Sequence, residues 1–459
     1  MPQGSFRDPS GHIFERNGVL CRQVNVGYKD HYDLFIASGL YKELAESNRL
    51  IPHLELNADS TEKDTVYRIL NPQRLTFISY PYEWCFSQLK DAALLTLDIQ
   101  KISLQKGMTL KDASAYNVQY LNGKPIFIDT LSFEKYQEGR PWIAYLQFCQ
   151  HFLAPLSLMS LRDIRLSQLL RVHLDGVPLD LASKLLPRSS WLNFGLLSNI
   201  HLHAKAQISF LNNPDKRDRA SVVSKSGLLA IVEGLAETIA GLKYSAVGTE
   251  WEGYYRRLHY DPKAFGAKND FVAGAIAKLA PKSVIDLGAN DGTFSRLSAQ
   301  AGIPTISIDS DPAAVENNYL VSKKTEDTSM LPLWGDLTNP SGHIGWANSE
   351  RKSLVSRCKA ELVLALALIH HLAIGNNVPF GRIAEFFRSL GDWLIIEYVP
   401  MDDPQVKNML ARRPGAIHDY SVDRFEQAFS RFYHIHEKRP LPESTRVMYL
   451  MSRKNVENI

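Results

Sequence analysis

The residues most able to hold a ligand lie in the stretch SVIDLGANDGTFS, residues 283–295. An apolar run over 284–287 carries an acid, Asp286, and leads into Gly288 and Gly292 with Asn290 between them. Such a run reads as a buried strand, and the glycines as a turn that opens a helix over 292–300. A second acid, Asp309, closes the next strand-like run, 305–309. A carboxylate offers two oxygens, so an acid at that place can accept more than one hydrogen bond from a ligand. The dinucleotide pattern G-x-G-x-x-G is not met. Asn290 stands where its middle glycine would fall, and the added bulk discourages a pyrophosphate. Nor does the stretch contain the G-x-x-x-x-G-K-[ST] pattern of a phosphate loop.

Further along the chain, His370 and His371 follow the apolar run 362–368. A histidine near neutrality can take the proton of a reacting hydroxyl. Adjacent side chains on a helix face different ways, so one of the two is expected to act, with His370 placed ahead of His371. The other is expected to cap a helix, pack or bind substrate. Glu397 ends the run 393–399 and could bind substrate, orient a histidine, or simply be a polar residue at a strand exit. Asp336, in the sequence Trp334-Gly335-Asp336-Leu337, reads either as a ligand-facing acid or as a turn or helix cap. Tyr254, Tyr255 and Lys268 precede the first strand and read as packing and surface residues.

These positions need a frame. From about residue 281 onward, strand-like runs (284–287, 305–309, 362–368, 393–399) alternate with helical ones (292–300, 312–320, 382–390, 423–432). Alternation of this kind predicts an α/β, doubly wound and mostly parallel sheet with helices on both faces. Two last runs, 432–437 and 446–451, predict a closing antiparallel pair. The first half differs. Residues 1–80 are strand-rich, with runs at 66–70 and 75–80 and a helix over 32–45. Residues 81–245 are mainly helical, with a long helix over 83–107 and a strand over 124–129. The division that follows is an α+β region over 1–245 and a second domain over 246–459.

IDLGANDG resembles the first motif, D-x-G-x-x-x-G, of the class I S-adenosylmethionine-dependent methyltransferases. The resemblance covers about residues 250–459 and implies a Rossmann-like methyltransferase sheet with S-adenosyl-L-methionine as cofactor. It implies that Asp286, Gly288, Ala289, Asn290 and Gly292 surround the amino-acid end of the cofactor. It places Asp309 with Ser310 at the ribose, and Asp336 with Leu337 at the adenine. His370, His371 and Glu397 then become the candidates for catalysis, because the methyl acceptor needs positioning and deprotonation.

In the first half, Asp112 and Asn117 in LKDASAYN, with Asp129 after PIFI, resemble the catalytic and metal-binding loops of protein-kinase-like phosphotransferases. That likeness implies magnesium and ATP in this half. Leu110-Lys111 stands where His-Arg is usual, no glycine-rich loop lies upstream, and Arg22 and Lys29 are poor stand-ins for the strand lysine. The whole chain also resembles bacterial two-part, nodulation-type methyltransferases. The expectation is an enzyme that methylates oxygen on a small polar metabolite or glycan, with the first half setting acceptor specificity. The alternatives are a bifunctional methyltransferase and phosphotransferase, a non-catalytic cofactor-binding scaffold, and an RNA methyltransferase.

Bulk properties narrow these choices. The 459 residues exceed one ordinary domain, and 45% apolar with 22% charged residues suits globular cores. A net charge of +3 argues against a nucleic-acid partner, and the basic residues around 216–219 read as a solvated loop. Cys21, Cys85, Cys149 and Cys358 are too scattered for a zinc site or a disulfide framework. No run approaches the ~20 apolar residues of a spanning helix. With no apolar leader at the N-terminus, a cytoplasmic protein is expected.

Overall fold

The computed structural model describes residues 5–56, 65–206, 222–245, 261–411 and 420–455. The expected roles of Tyr254 and Tyr255 and of the basic loop at 216–219 lie outside them. The chain forms two units. The first is Met1–Ser245 with His343–Arg351, and the second is Ala246–Gly342 with Lys352–Ile459. The split falls at residue 245, but a nine-residue excursion from the later sequence belongs to the first unit, and no compositional signal marks it.

The first unit opens with an antiparallel sheet in the order β1-β2-β4-β3, formed by Ile13–Arg16 (β1), Val19–Asn25 (β2), His53–Leu56 (β3) and Val66–Pro72 (β4). Asn17 and Gly18 join β1 to β2 with φ of 51° and 77°, the left-handed pair that a two-residue hairpin requires. The helix expected over 32–45 is two helices, Lys29–Ala37 (α1) and Leu40–Glu46 (α2), interrupted by Gly39 at φ 75°. The strand expected over 75–80 does not form. Ser79 donates its N–H to Gln119 Oε1 at 2.9 Å and accepts from Gln119 Nε2 at 2.9 Å, so one buried side chain satisfies the backbone in place of a neighbouring strand. Phe86–Gln105 (α3) follows. Then come Met108–Leu110 (β5) paired with Phe133–Lys135 (β8), and the hairpin Val118–Leu121 (β6) and Lys124–Phe127 (β7).

The second unit is a seven-stranded α/β sheet. Its strands are Val284–Leu287 (β9), Thr305–Asp309 (β10), Met330–Trp334 (β11), Ala360–Ala365 (β12), Gly391–Tyr398 (β13), Tyr433–Pro440 (β14) and Val447–Arg453 (β15), in the order β11-β10-β9-β12-β13-β15-β14. The first five run parallel, and β15 is antiparallel to both neighbours. The order reverses between β9 and β12, so a crevice opens at the carboxyl ends of those strands. Ile285, Leu364 and Ile395 are fully buried, each contributing about 1.5–3 kcal/mol. Residues 330–334 escape the sequence pattern because Pro332 interrupts them. As β11 is an edge strand, the missing N–H is tolerated. Asp261 caps a helix over Pro262–Leu279 (α4), which packs on the core through Phe271 and Val272. Ser295–Gln300 (α5), Pro312–Lys324 (α6), Phe380–Leu390 (α7), Pro404–Ala411 (α8) and Val422–Ser430 (α9) complete the layers.

Candidate functional site

The turn after β9 uses left-handed backbone at alternate residues, with φ of 71° at Gly288, 52° at Asn290 and 77° at Gly292. Asparagine tolerates that region better than other side chains, which explains a bulky residue at the centre of the turn. A Cβ at Gly292 would lie 2.3 Å from Asn318 Oδ1, and one at Gly288 would lie 3.1 Å from Leu368 Cδ1. Glycine is therefore required twice, once for the packing of α6 and once for the approach of the loop after β12. Asn290 donates its N–H to Asp309 Oδ2 at 2.7 Å, and Asp311 donates to Asp309 Oδ1 at 2.8 Å. The acid closing β10 thus ties the two loops together while keeping lone pairs free, since each carboxylate oxygen can accept more than one bond. Burial pushes the Asp309 carboxyl up to about 6.

These loops enclose a cavity of about 330 Å³. Of the residues singled out in the sequence, Gly288, Asn290, Asp309, Ser310, Asp336, Leu337 and His371 line it. Asp286, Ala289, Gly292, His370 and Glu397 are not among its lining residues. Both readings of Asp336 coexist, because it lines the cavity and accepts from the N–H and hydroxyl of Thr338 at 2.8 and 2.7 Å. Leu366, Ala367 and Leu368 supply an apolar wall that the sequence pattern absorbed into a strand. The strand ends at Ala365, and Ala367 adopts φ 50°, a strained conformation for alanine that re-aims the wall. An S-adenosylmethionine molecule fits this donor set. Asp309, half-buried, offers its carboxylate to the cavity, and Leu366, Leu368 and Leu372 offer it apolar surface.

Elsewhere in the second unit, four buried charges alternate in sign. Lys268, fully buried on α4, donates to Glu397 Oε2 at 2.6 Å. Arg446 Nη1 donates to Glu397 Oε1 at 3.2 Å, and Arg446 Nε donates to Asp403 Oδ2 at 2.8 Å. Lys268 also sits 4.4 Å over the Phe294 ring. The surface reading of Lys268 is therefore corrected, since a carboxylate on β13 lets its ammonium be buried. Asp286, also buried, accepts from Ser295 Oγ at 2.6 Å, and burial pushes its carboxyl up to about 7. His370 is fully buried, and neither ring nitrogen has a hydrogen-bond partner among the described residues. Burial, and then His371, hold it well below the usual imidazole value. His371 packs against it with the rings tilted by 40° and their centroids 4.1 Å apart, and begins the π turn His371–Gly375. Of the two histidines it is His371 that reaches the cavity, where burial lowers it to about 4 and leaves it neutral at physiological pH.

In the first unit, Asp112, Asn117 and Asp129 converge. Asp112 is bonded by Asn117, Gln147 and the Ser114 N–H, and burial raises its carboxyl. Asn117 Nδ2 donates to Ser132 Oγ at 3.2 Å, which donates to Asp129 Oδ2 at 2.6 Å. Arg22, on β2, donates to Asp129 Oδ1 at 2.8 Å and to Asp8 Oδ2 at 3.1 Å. Lys29 instead pairs with Asp33 on the surface. Among the described residues no group of three or more His, Cys, Asp or Glu could hold a metal. No helix among them is long and apolar enough to cross a membrane, and all four cysteines are buried thiols outside any disulfide among the described residues.

No protein-family model matches the chain. Nodulation protein NoeA of Rhizobium meliloti (strain 1021) is 36% identical over 458 residues, covering 98% of this chain and 95% of that protein. Among solved structures, magnesium protoporphyrin IX methyltransferase (ChlM) from Synechocystis PCC 6803 with bound SAH aligns at 14% identity, over 42% of this chain and 84% of that one, with a TM-score of 0.31. The bifunctional kinase-methyltransferase WbdD aligns at 16% identity over 48% of this chain and 46% of that one, with a TM-score of 0.30. Alignments this loose add nothing to the strand order and cavity described above. The relative matched almost end to end shows that the chain belongs to the family of nodulation protein NoeA.

Proposed function

We propose that the second unit transfers a methyl group to a hydroxyl oxygen of a small polar metabolite or glycan in the cytoplasm. When bound, the cofactor supplies an electrophilic methyl group on a sulfonium. Asp309 would accept the ribose hydroxyls, and Asp336 with Leu337 would border the adenine. Gly288 and Asn290 would face the amino-acid end, with Asp286, Ala289 and Gly292 shaping the turn from behind. His371 would take the acceptor proton as the carbon–oxygen bond forms. His370 and Glu397 would act through position, as the wall behind His371 and as the partner of Lys268. The observation that carries this reading is the half-buried Asp309, which joins the two loops and lines the cavity. Asp309→Ala is expected to weaken S-adenosylhomocysteine binding at least tenfold, about 1.4 kcal/mol, in titration calorimetry. Unchanged affinity would remove Asp309 from the site.

A second reading, phosphoryl transfer in the first unit, is supported by the convergence of Asp112, Asn117 and Asp129. Arg22 opposes it by occupying Asp129, where magnesium would bind. If the reading holds, purified protein hydrolyses ATP only with magnesium, and Asp129→Ala abolishes the hydrolysis. A first unit that never binds ATP leaves it as a module for acceptor specificity.

A further inference from the structure

Asp309 is one support of the turn after β9. A second set of bonds reaches the same turn through α5 and α6. Arg296, on α5, donates from Nη2 to the Asp291 carbonyl and from Nη1 to Asn318 Oδ1 at 3.0 Å. Asn318, on α6, donates from Nδ2 to Ser307 Oγ, on β10, at 2.8 Å. Ser307 Oγ lies 3.2 Å from Ser295 Oγ, which donates to Asp286 Oδ2 at 2.6 Å. The chain of bonds leaves the turn at Asp291 and comes back to the chain at Asp286, on β9. It therefore brackets Gly288 and Asn290. Asp286, Ser295, Ser307 and Asn318 are all buried.

Asn318 is the centre of this chain. Its amide both accepts and donates, so one side chain ties α5 to β10. The same amide lies against the turn itself. A Cβ at Gly292 would stand 2.3 Å from Oδ1 and 2.5 Å from Cγ and Nδ2. The turn needs such support. Asn290 has φ 52°, a left-handed conformation that persists where the surroundings over-determine it. Neither Arg296 nor Asn318 is among the residues that line the cofactor cavity, whereas Gly288 and Asn290 are. Any effect of the pair on a ligand is therefore transmitted by the backbone of the turn.

We propose that Arg296 and Asn318 are positioning residues for the cofactor. They fix the backbone of residues 288–292 in the shape that meets the amino-acid end of the ligand. This inference rests on the cofactor placement in the methyl-transfer reading above.

The test is titration calorimetry of S-adenosylhomocysteine on the full chain, at a temperature where circular dichroism shows each variant folded. Asn318→Leu removes both bonds of the amide. Arg296→Met removes the guanidinium of a half-buried residue and keeps an unbranched stem. Each is expected to weaken binding about tenfold or more. Asn318→Asp is the rescue. Its carboxylate can accept from Arg296 and from the Ser307 hydroxyl, so affinity is expected to stay within about threefold of the unsubstituted protein. Arg296→Met/Asn318→Leu is expected to lose no more than the weaker-binding single variant, because both cut one chain of bonds. Independent sites would multiply their losses. A role in stability alone would lower the melting temperatures and leave these affinities alike. If Asn318→Leu does not fold, Arg296→Met decides alone. Unchanged affinity in Arg296→Met, multiplied losses in the double variant, or Asn318→Asp binding no better than Asn318→Leu overturns the inference. In each case normal S-adenosylhomocysteine binding by the unsubstituted protein leaves the methyl-transfer reading standing. Failure of the unsubstituted protein to bind S-adenosylhomocysteine removes both.

Discussion

Glu397→Ala is expected to lower the unfolding free energy of the second unit by about 3–5 kcal/mol, the scale of breaking a buried ion pair from one side. Glu397 is the shared acceptor for Lys268 and Arg446, and its own side chain is fully buried. Arg446 keeps Asp403, so the loss of a carboxylate acceptor falls chiefly on Lys268. Burial already lowers the Lys268 ammonium from its ordinary value, and Glu397 is what opposes the shift. Without it, the folded-state value falls further below the unfolded one. A lysine depressed in the folded state binds fewer protons there than in the unfolded chain, so stability rises with pH. The penalty of Glu397→Ala should therefore be greatest at low pH and shrink as the pH climbs toward the lysine range. Calorimetric melting between pH 6 and about 9 measures both size and sign. A loss that does not vary with pH would mean that Lys268 finds another partner.

His371→Ala should depress turnover by at least about a hundredfold, the lower range for removing a positioned general base. Affinity for S-adenosylhomocysteine should change far less, because Asp309 and the turn after β9 are untouched. With the free imidazole lowered to about 4, the rate of the unsubstituted enzyme should be flat through neutrality and fall only in acid. His370→Ala is the contrast. His370 is sealed from the cavity, so its removal should lower the melting temperature rather than abolish an acid limb. Normal turnover in His371→Ala would assign proton removal elsewhere.

How much of this was legible in the sequence depended on which level of structure decided each feature. The glycine turn was legible because backbone conformation imposes it locally. Gly288, Asn290 and Gly292 all take positive φ, a demand met by residue types that the sequence displays. The parallel core strands were legible because burial on both faces leaves uninterrupted apolar runs, as at 284–287 and 305–309. Edge status hid β11, since Pro332 is acceptable only where no neighbour needs its N–H. The hairpins at Asn17-Gly18 and Asn122-Gly123 had a clear local signal, an Asn-Gly pair between strand-like runs, that the reading above did not use. The choice between His370 and His371 could not be made locally. It depends on where the chain turns after β12, and the strained Ala367 sets that turn. The same holds for Lys268, whose burial requires a carboxylate 129 residues away.

The position of β15 bears on how the protein is made. Residues 447–453 lie between β13 and β14, so β14 has no place in the sheet until the strand beside it has emerged from the ribosome. At about 5–20 residues per second, translation leaves β13 with an open, apolar flank for several seconds after its own synthesis. Released chains that stop before residue 447 should be avid clients of holdase chaperones, and released chains that include residues 447–453 should not.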